Sequence, residues 1–257
     1  MNQNTTWIST VPRTGSMWTT NVVREIYKYS KKNVLPMIQL KNKNDWLNLF
    51  QKAYLDYNLN NHYVLKVHVF LDLNIPRSKV ITNIRNPYDV CASYYQFMNC
   101  DLNLAISVAL DILKMQNHYE KFNKENLFVI RYEEIEELSI ELILELSKFL
   151  NVSLNESEAE SILEKFSREN VNIIIANNDK ALSDKLSKEL EIDPKKIVNL
   201  GKNNYRSFDP DTGFQTGHIS ERKTGEWKLY FSEHEIEQII ENIDNTALKL
   251  GYSSERK

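Results

Sequence analysis

The sequence predicts a single three-layer α/β domain, a central parallel sheet flanked by helices. Two observations carry that prediction. Short apolar runs bounded by turn residues alternate along the chain with longer segments of helical period. That is the pattern of strands buried on both faces and connected by helical crossovers. The first apolar run breaks into Pro12-Arg13-Thr14-Gly15-Ser16 just before a helical segment. A strand, a glycine turn and a helix start together aim backbone N–H groups at one anion. With 257 residues and 42% hydrophobic content, the chain is long enough for one sizeable core.

In order, residues 6–11 read as a buried strand, and 16–29 as a helix with Trp18, Val22, Val23 and Ile26 on one side. Residues 30–61 are polar and aromatic, with a short helix over 45–54. There Trp46, Phe50, Tyr54 and Tyr57 fall close to helical spacing, which favours core packing over a ligand pocket. Residues 63–69 and 79–84 are the next strands. Asn86-Pro87 then opens a helix: Asn caps, Pro fits the first turn and Asp89 suits the positive end of the dipole. A helix over 102–122, a strand over 127–130 and amphipathic helices over 140–150 and 157–167 follow. Residues 170–217, rich in Asn, Lys, Asp and Gly, read as an insertion or lid within the one domain, with a charged helix near 180–190.

In parallel sheets ligands bind beyond the C-terminal strand ends. That rule points to Pro12–Ser16, to Lys66-Val67-His68, to Ile84-Arg85-Asn86-Pro87 and to Arg131-Tyr132. Arg13 supplies a charge that does not titrate. Arg85 ends a strand, and Ser93 lies two turns into the next helix on the side facing back. A guanidinium and a hydroxyl together suit a phosphate. Lys66 and His68 are two apart on one strand face, and a histidine there can act as a general base at neutral pH. His62, His118, His218 and His234 read as surface or packing residues. Each motif taken alone also fits an ordinary turn, ion pair or core contact.

Taken together and in this order, the segments resemble the sulfotransferases that use 3′-phosphoadenosine 5′-phosphosulfate (PAPS). Pro12-Arg13-Thr14-Gly15-Ser16-Met17-Trp18 resembles that family's P-K-S-G-T-T-W loop. Residues 85–95 resemble its R-N-P-x-D-x-x-x-S-Y-Y segment. Lys66-Val67-His68, Arg131-Tyr132-Glu133-Glu134 and Gly225-Glu226-Trp227-Lys228 resemble its K-x-H, Y-E-D and G-D-W-K. The resemblance implies a P-loop NTPase-like fold and sulfuryl transfer from PAPS, leaving PAP, to a hydroxyl or amine of a small-molecule or carbohydrate acceptor.

It also implies roles. Arg13, Thr14, Gly15 and Ser16 would hold the phosphosulfate, with Met17 where the family has a hydroxyl. Trp18 and Tyr132 would meet the adenine, and Arg85 and Ser93 the 3′-phosphate. His68 would be the base, supported by Lys66. The closing basic pair of the family is displaced here to Arg222 and Lys223. Ser232 and Glu233 stand at the centre of the family's dimer motif, so that dimer is not implied. Two other readings share parts of the pattern. A P-loop kinase lacks its second glycine and Lys-Ser/Thr here, and an inactive PAP-binding homologue would not need His68.

Composition excludes other partners. Net charge is -3, against a general nucleic-acid surface. No run approaches a membrane span, and Cys91 and Cys100 fall in or near one helix, so a reduced cytoplasmic protein is expected. No carboxylate cluster suggests a metal.

Overall fold

The strands of the main sheet all run parallel, so they all end at one edge. The computed structural model describes the chain except residues 1–3, 40–42, 59, 73, 76–77, 202–203, 220–222 and 255–257. In chain order it begins with β1 (Thr5–Ser9), α1 (Ser16–Tyr29), β2 (Asn33–Leu35), α2 (Lys43–Leu55), β3 (Asn61–Val67) and β4 (Ser78–Ile84). Next come α3 (Pro87–Met98), α4 (Leu102–Tyr119), β5 (Leu127–Arg131), α5 (Tyr132–Glu136), α6 (Ile140–Phe149), α7 (Glu156–Lys165) and α8 (Arg168–Ser187). A two-stranded antiparallel ribbon of β6 (Ile197–Asn199) and β7 (Tyr205–Ser207) precedes α9 (Glu233–Lys249). The sheet order is β2-β3-β1-β4-β5. The chain therefore builds to one side of β1 and then crosses to the other. The crevice at the C-terminal end of β1 is the switch point where such sheets bind ligands.

Alternation along the strands divides the core into two layers. Trp7, Tyr63, Leu65, Val80 and Ile84 point into one cluster, built with α3, α4 and α9. Ile8, Val64, Ile81 and Ile130 point into the other, built with α1, α6 and α7. Their immediate sequence neighbours thus serve opposite faces. That explains why these runs are continuously apolar rather than alternating. At about 25 cal/mol per Å² of apolar surface, each fully buried Ile or Leu here contributes about 1.5–3 kcal/mol.

Local signals set the helix starts. Asn86 Oδ1 accepts from the Tyr88 amide at 3.0 Å with Pro87 in the first turn. Asp101 caps α4, and Ser139, Asn155, Ser167 and Ser232 cap α6 to α9 in the same way.

The structure departs from the sequence reading in three places. β2 pairs residues 33–35 with β3, a strand too short to show any period. The helix expected near 180–190 runs instead over Arg168–Ser187, started by the Ser167 cap and anchored by buried Val171 and Ile175. Only two buried apolar residues on an Asn- and Lys-rich helix left little pattern to read. Trp46 and Phe50 pack against the core, but Tyr54 and Tyr57 are exposed. No described helix is long and apolar enough to cross a membrane. Cys91 and Cys100 are both free.

Candidate active site

Four strand ends deliver the candidate residues to one edge. β1 leads into the 10–15 loop, β3 into His68, β4 into Arg85 and β5 into Tyr132. Gly15 starts α1 with φ +94°. A Cβ there would lie 2.8 Å from Ile135 Cδ1, 3.2 Å from Tyr132 Cδ2 and 3.3 Å from Asn83 Nδ2. Both the backbone angle and the space demand glycine. The loop is held from beneath. Thr14 Oγ1 donates to the Val11 carbonyl at 2.8 Å, and Asn83 Nδ2 donates to the Thr14 carbonyl at 3.0 Å and to Thr19 Oγ1 at 2.8 Å. Ser16 is buried, and no side chain caps the first turn of α1. Its opening amides are left for an anion.

Arg13 sits in the left-handed region at φ +70°, uncommon for a residue with a side chain. Its Nε donates to Ser93 Oγ at 2.9 Å, its Nη2 reaches the His218 carbonyl at 3.2 Å, and its guanidinium lies 4.2 Å from the Phe97 ring centre. Arg206 approaches the same ring at 4.3 Å and donates to the Phe97 carbonyl at 2.6 Å. Arg85 donates from Nη1 to the Arg13 carbonyl at 2.9 Å and lies 3.8 Å above the Tyr132 ring. Its buried Nε has no hydrogen-bond partner. The sequence reading assigned Arg13 and Ser93 to different anions. Here they are hydrogen-bonded to each other.

Lys66 and His68 form the other side. His68 Nδ1 lies 2.8 Å from the Thr10 carbonyl, and Lys66 Nζ lies 3.4 Å from His68 Nε2. A carbonyl only accepts, so Nδ1 carries the proton and Nε2 carries the lone pair. His68 is exposed at its surface, with protein packed around its base. That surrounding protein, reinforced by the Lys66 charge and opposed by the Thr10 bond, lowers its pKa to about 4. Burial lowers Lys66 to about 8.

The remaining predicted residues fall as follows. Met17 packs against the 209–213 turn, its Cε 2.6 Å from where a Cβ on Gly213 would be. The hydroxyl that is missing at this position is replaced by a packing contact. Trp18 is buried in the layer beneath α1, its Nε1 without a partner. Tyr132 backs both Arg85 and Gly15. Lys223 is exposed, with its amide donating to Glu226 Oε2 at 3.0 Å. Arg222 lies outside the described residues. Asp89 accepts the Gly225 amide at 2.9 Å, and Trp227 stacks on Tyr88 at 4.8 Å, which fastens that segment to α3.

Sequence reading missed Phe97, Arg206 and His218. His218 packs between Phe97 and Phe214, and its carbonyl accepts from Arg13. Burial, followed by the charges of Arg13, Lys66 and Arg206, lowers its pKa to about 3. Arg206 and His218 come from the polar stretch of 170–217 and its border, where no period or motif marks them.

The site fits a doubly anionic adenosine ligand. A glycine cradle, helix amides without a side-chain cap and an orphaned Arg85 Nε lie along one edge, with Trp18 buried beneath α1. The ion pairs among the described residues, Lys28 and Lys165 with Glu25 and Lys114 with Asp111, leave Arg85 and Lys66 without a carboxylate. A P-loop-like α/β frame with two such anion sites and a histidine at the strand edge is the architecture of a group-transfer enzyme.

Comparison with known proteins gives the family. The sulfotransferase domain model matches residues 3–251. The amine sulfotransferase of Oryctolagus cuniculus is 24% identical over 212 residues, 71% of this chain and 68% of its own. Mouse sulfotransferase SULT7A1, solved with PAP, superposes with a TM-score of 0.60 at 16% identity, over 98% of this chain and 89% of its own. Retinol dehydratase, solved with retinol and PAP, gives 0.60 at 16% identity, over 100% and 84%. At such identities the superpositions establish the fold. The chain belongs to the sulfotransferase family, enzymes that move a sulfuryl group from PAPS to an acceptor.

Proposed function

We propose that this sulfotransferase acts on a small-molecule acceptor with His68 as general base and with PAPS bound along the edge formed by residues 10–18, 85–93 and 132. One observation supports the base above all others. Nδ1–H is committed to Thr10, and the low pKa keeps the ring neutral, so Nε2 presents its lone pair, held at 3.4 Å by Lys66 Nζ until an acceptor's proton takes that place. Bound PAPS supplies the sulfuryl group. Nε2 removes the acceptor's hydroxyl or amine proton, and Lys66 limits the drift of the ring. Arg13 and the amides at Gly15 and Ser16 hold the charge at the phosphosulfate end, the preorganised electrostatics that usually carries most of catalysis. Arg85, through its orphaned Nε, and Ser93 hold the 3′-phosphate. Trp18 and Tyr132 flank the adenine, and Lys223 closes over it.

The 170–217 stretch acts as a strap within the one domain. Asn21 Nδ2 donates to the Thr212 carbonyl at 2.9 Å and Arg24 Nη1 to the Asp211 carbonyl at 3.0 Å, which ties the strap to α1. Exposed Val69 and Phe70, next to His68, give the acceptor side an apolar lining. Free thiols accord with a reducing cytoplasmic setting.

The test is direct. PAP should raise the melting temperature well above ATP with Mg²⁺ at equal concentration. PAPS with a panel of phenols, alcohols, amines and sugars should release PAP with at least one of them. Stronger stabilisation by ATP with Mg²⁺ would reject the reading.

A further inference from the structure

The ladder between β1 and β3 ends at Ser9 beside Val67, one residue short of His68. The stretch that carries the base is therefore held by something other than strand pairing. Tyr119, the last residue of α4 and 1% exposed, is at the centre of that hold. Its Oη accepts from the Leu71 amide at 3.2 Å and donates to Ser9 Oγ at 2.6 Å. Ser9 Oγ in turn donates to the Val69 carbonyl at 2.7 Å. The relay leaves the 69–71 turn at one end and returns to it at the other. Each hydroxyl is used once as donor and once as acceptor, so removing either one breaks the chain. His118 Nε2 lies 2.7 Å from the Leu71 carbonyl and adds a second hold from α4.

The relay also fixes what His68 leans on. Ser9 precedes Thr10, whose carbonyl takes the Nδ1 proton at 2.8 Å, and the Thr10 amide donates to the Val67 carbonyl at 3.2 Å. The backbone on either side of His68 and the carbonyl that sets its tautomer are thus fastened to one another through the Ser9–Tyr119 pair. We infer that Tyr119 is a positioning residue for His68, acting through Ser9 and the 69–71 turn to hold the ring in the Nδ1–H tautomer. This rests on His68 being the base.

Tyr119→Phe keeps the ring and removes the relay. In ¹⁵N NMR of the full-length protein saturated with PAP at pH 7, wild-type His68 should show a protonated Nδ1 and a bare Nε2. In the variant the two shifts should move toward each other as tautomers mix. With an acceptor that supports turnover, kcat should fall about tenfold, since small misplacements of a reacting group are costly. The Kd for PAP should stay within twofold. In a His68→Ala background the same change should cost less than twofold, because it acts through the missing ring. Unchanged His68 shifts, or an equal loss of kcat in both backgrounds, overturns the proposal. If His68→Ala alone keeps full turnover, the base reading fails, and the NMR shifts still decide whether Tyr119 positions the ring. Should Tyr119→Phe not fold, Ser9→Ala cuts the relay at its second hydroxyl, with the same outcomes deciding.

Discussion

The two sides of the cleft are built in different ways. On the His68 side the ring itself is set by backbone, bonded to the Thr10 carbonyl at 2.8 Å just beyond the last rung of a parallel ladder, and the turn after it is tied by the Ser9–Tyr119 hydroxyl relay. The anion side is held by arginine side chains, which donate to a hydroxyl and to loop carbonyls and lie over aromatic rings. Arg13 rests on Ser93 at 2.9 Å and on the strap at the His218 carbonyl at 3.2 Å, and Arg206 reaches across to Phe97. The difference follows from the chemistry asked of each. A base must present one lone pair in one direction, and backbone bonds give that direction. Groups that bind phosphate must exchange their present partners for ligand oxygens, and side-chain contacts exchange with little cost to the fold.

The comparison predicts where substitutions will act, beginning with the largest effect. His68→Ala should lower turnover about 10²–10⁴-fold while the Kd for PAP by calorimetry stays within twofold. The wild-type rate should hold as pH falls and drop only near 4, where Nε2 takes a proton, and should fall again above 8 as Lys66 loses its charge. A limb near the ordinary histidine value of about 6.5 would contradict the environment described here.

Arg85→Ala should do the reverse, weakening PAP binding by about ten- to a hundredfold, the size of a charge-assisted hydrogen bond, with little change in melting temperature. An unchanged Kd would remove Arg85 from the phosphate site. The glycines separate fold from ligand more finely. Gly15→Ala and Gly213→Ala both force an alanine to φ +94° and +74° and into contacts of 2.8 Å and 2.6 Å. Each should cost about 1–3 kcal/mol of stability. Gly15→Ala should also weaken PAP binding, whereas Gly213→Ala, in the strap, should leave the Kd within twofold. Equal effects on binding would erase the distinction between cradle and strap.

A separate effect is on stability with pH. His62 is buried against Tyr27, with its Nε2 3.0 Å from Thr6 Oγ1, and burial lowers its pKa to about 3. The folded state keeps it neutral while the unfolded chain protonates it near 6.5. Its contribution is therefore complete above 6.5 and is lost as pH falls toward 3. Melting temperature should decline over that window, and His62→Phe should make the decline shallower, with His218 and His68 carrying the remainder.

Much of this was legible in the sequence. Except for the short edge strand β2, the strands that build the sheet announce themselves because buried parallel strands are continuously apolar, and the helices because they carry strong caps, as at Asn86-Pro87. The positions of the loop, Arg85, Lys66 and His68 were legible because each sits at or just past a strand end, and that of Ser93 because it lies two turns into the helix that follows Arg85. Phe97, Arg206, His218 and Tyr119 were not. Phe97 and Tyr119 look like helix packing, and Arg206 and His218 lie in polar sequence without period. Their places depend on contacts made across more than a hundred residues of chain, such as Arg206 with Phe97 and Tyr119 with Ser9.

The sequence by itself determined the layers, the parallel strand edge and the types of group waiting along it, because hydrophobic period, caps and turn residues are local. Only the tertiary structure decided how those groups are engaged: Arg13 paired with Ser93, His68 set in one tautomer by Thr10, and the 69–71 turn closed by Tyr119. Those depend on distances of about 3 Å between distant residues, and a hydrogen bond loses its strength within a few tenths of an ångström and a few tens of degrees.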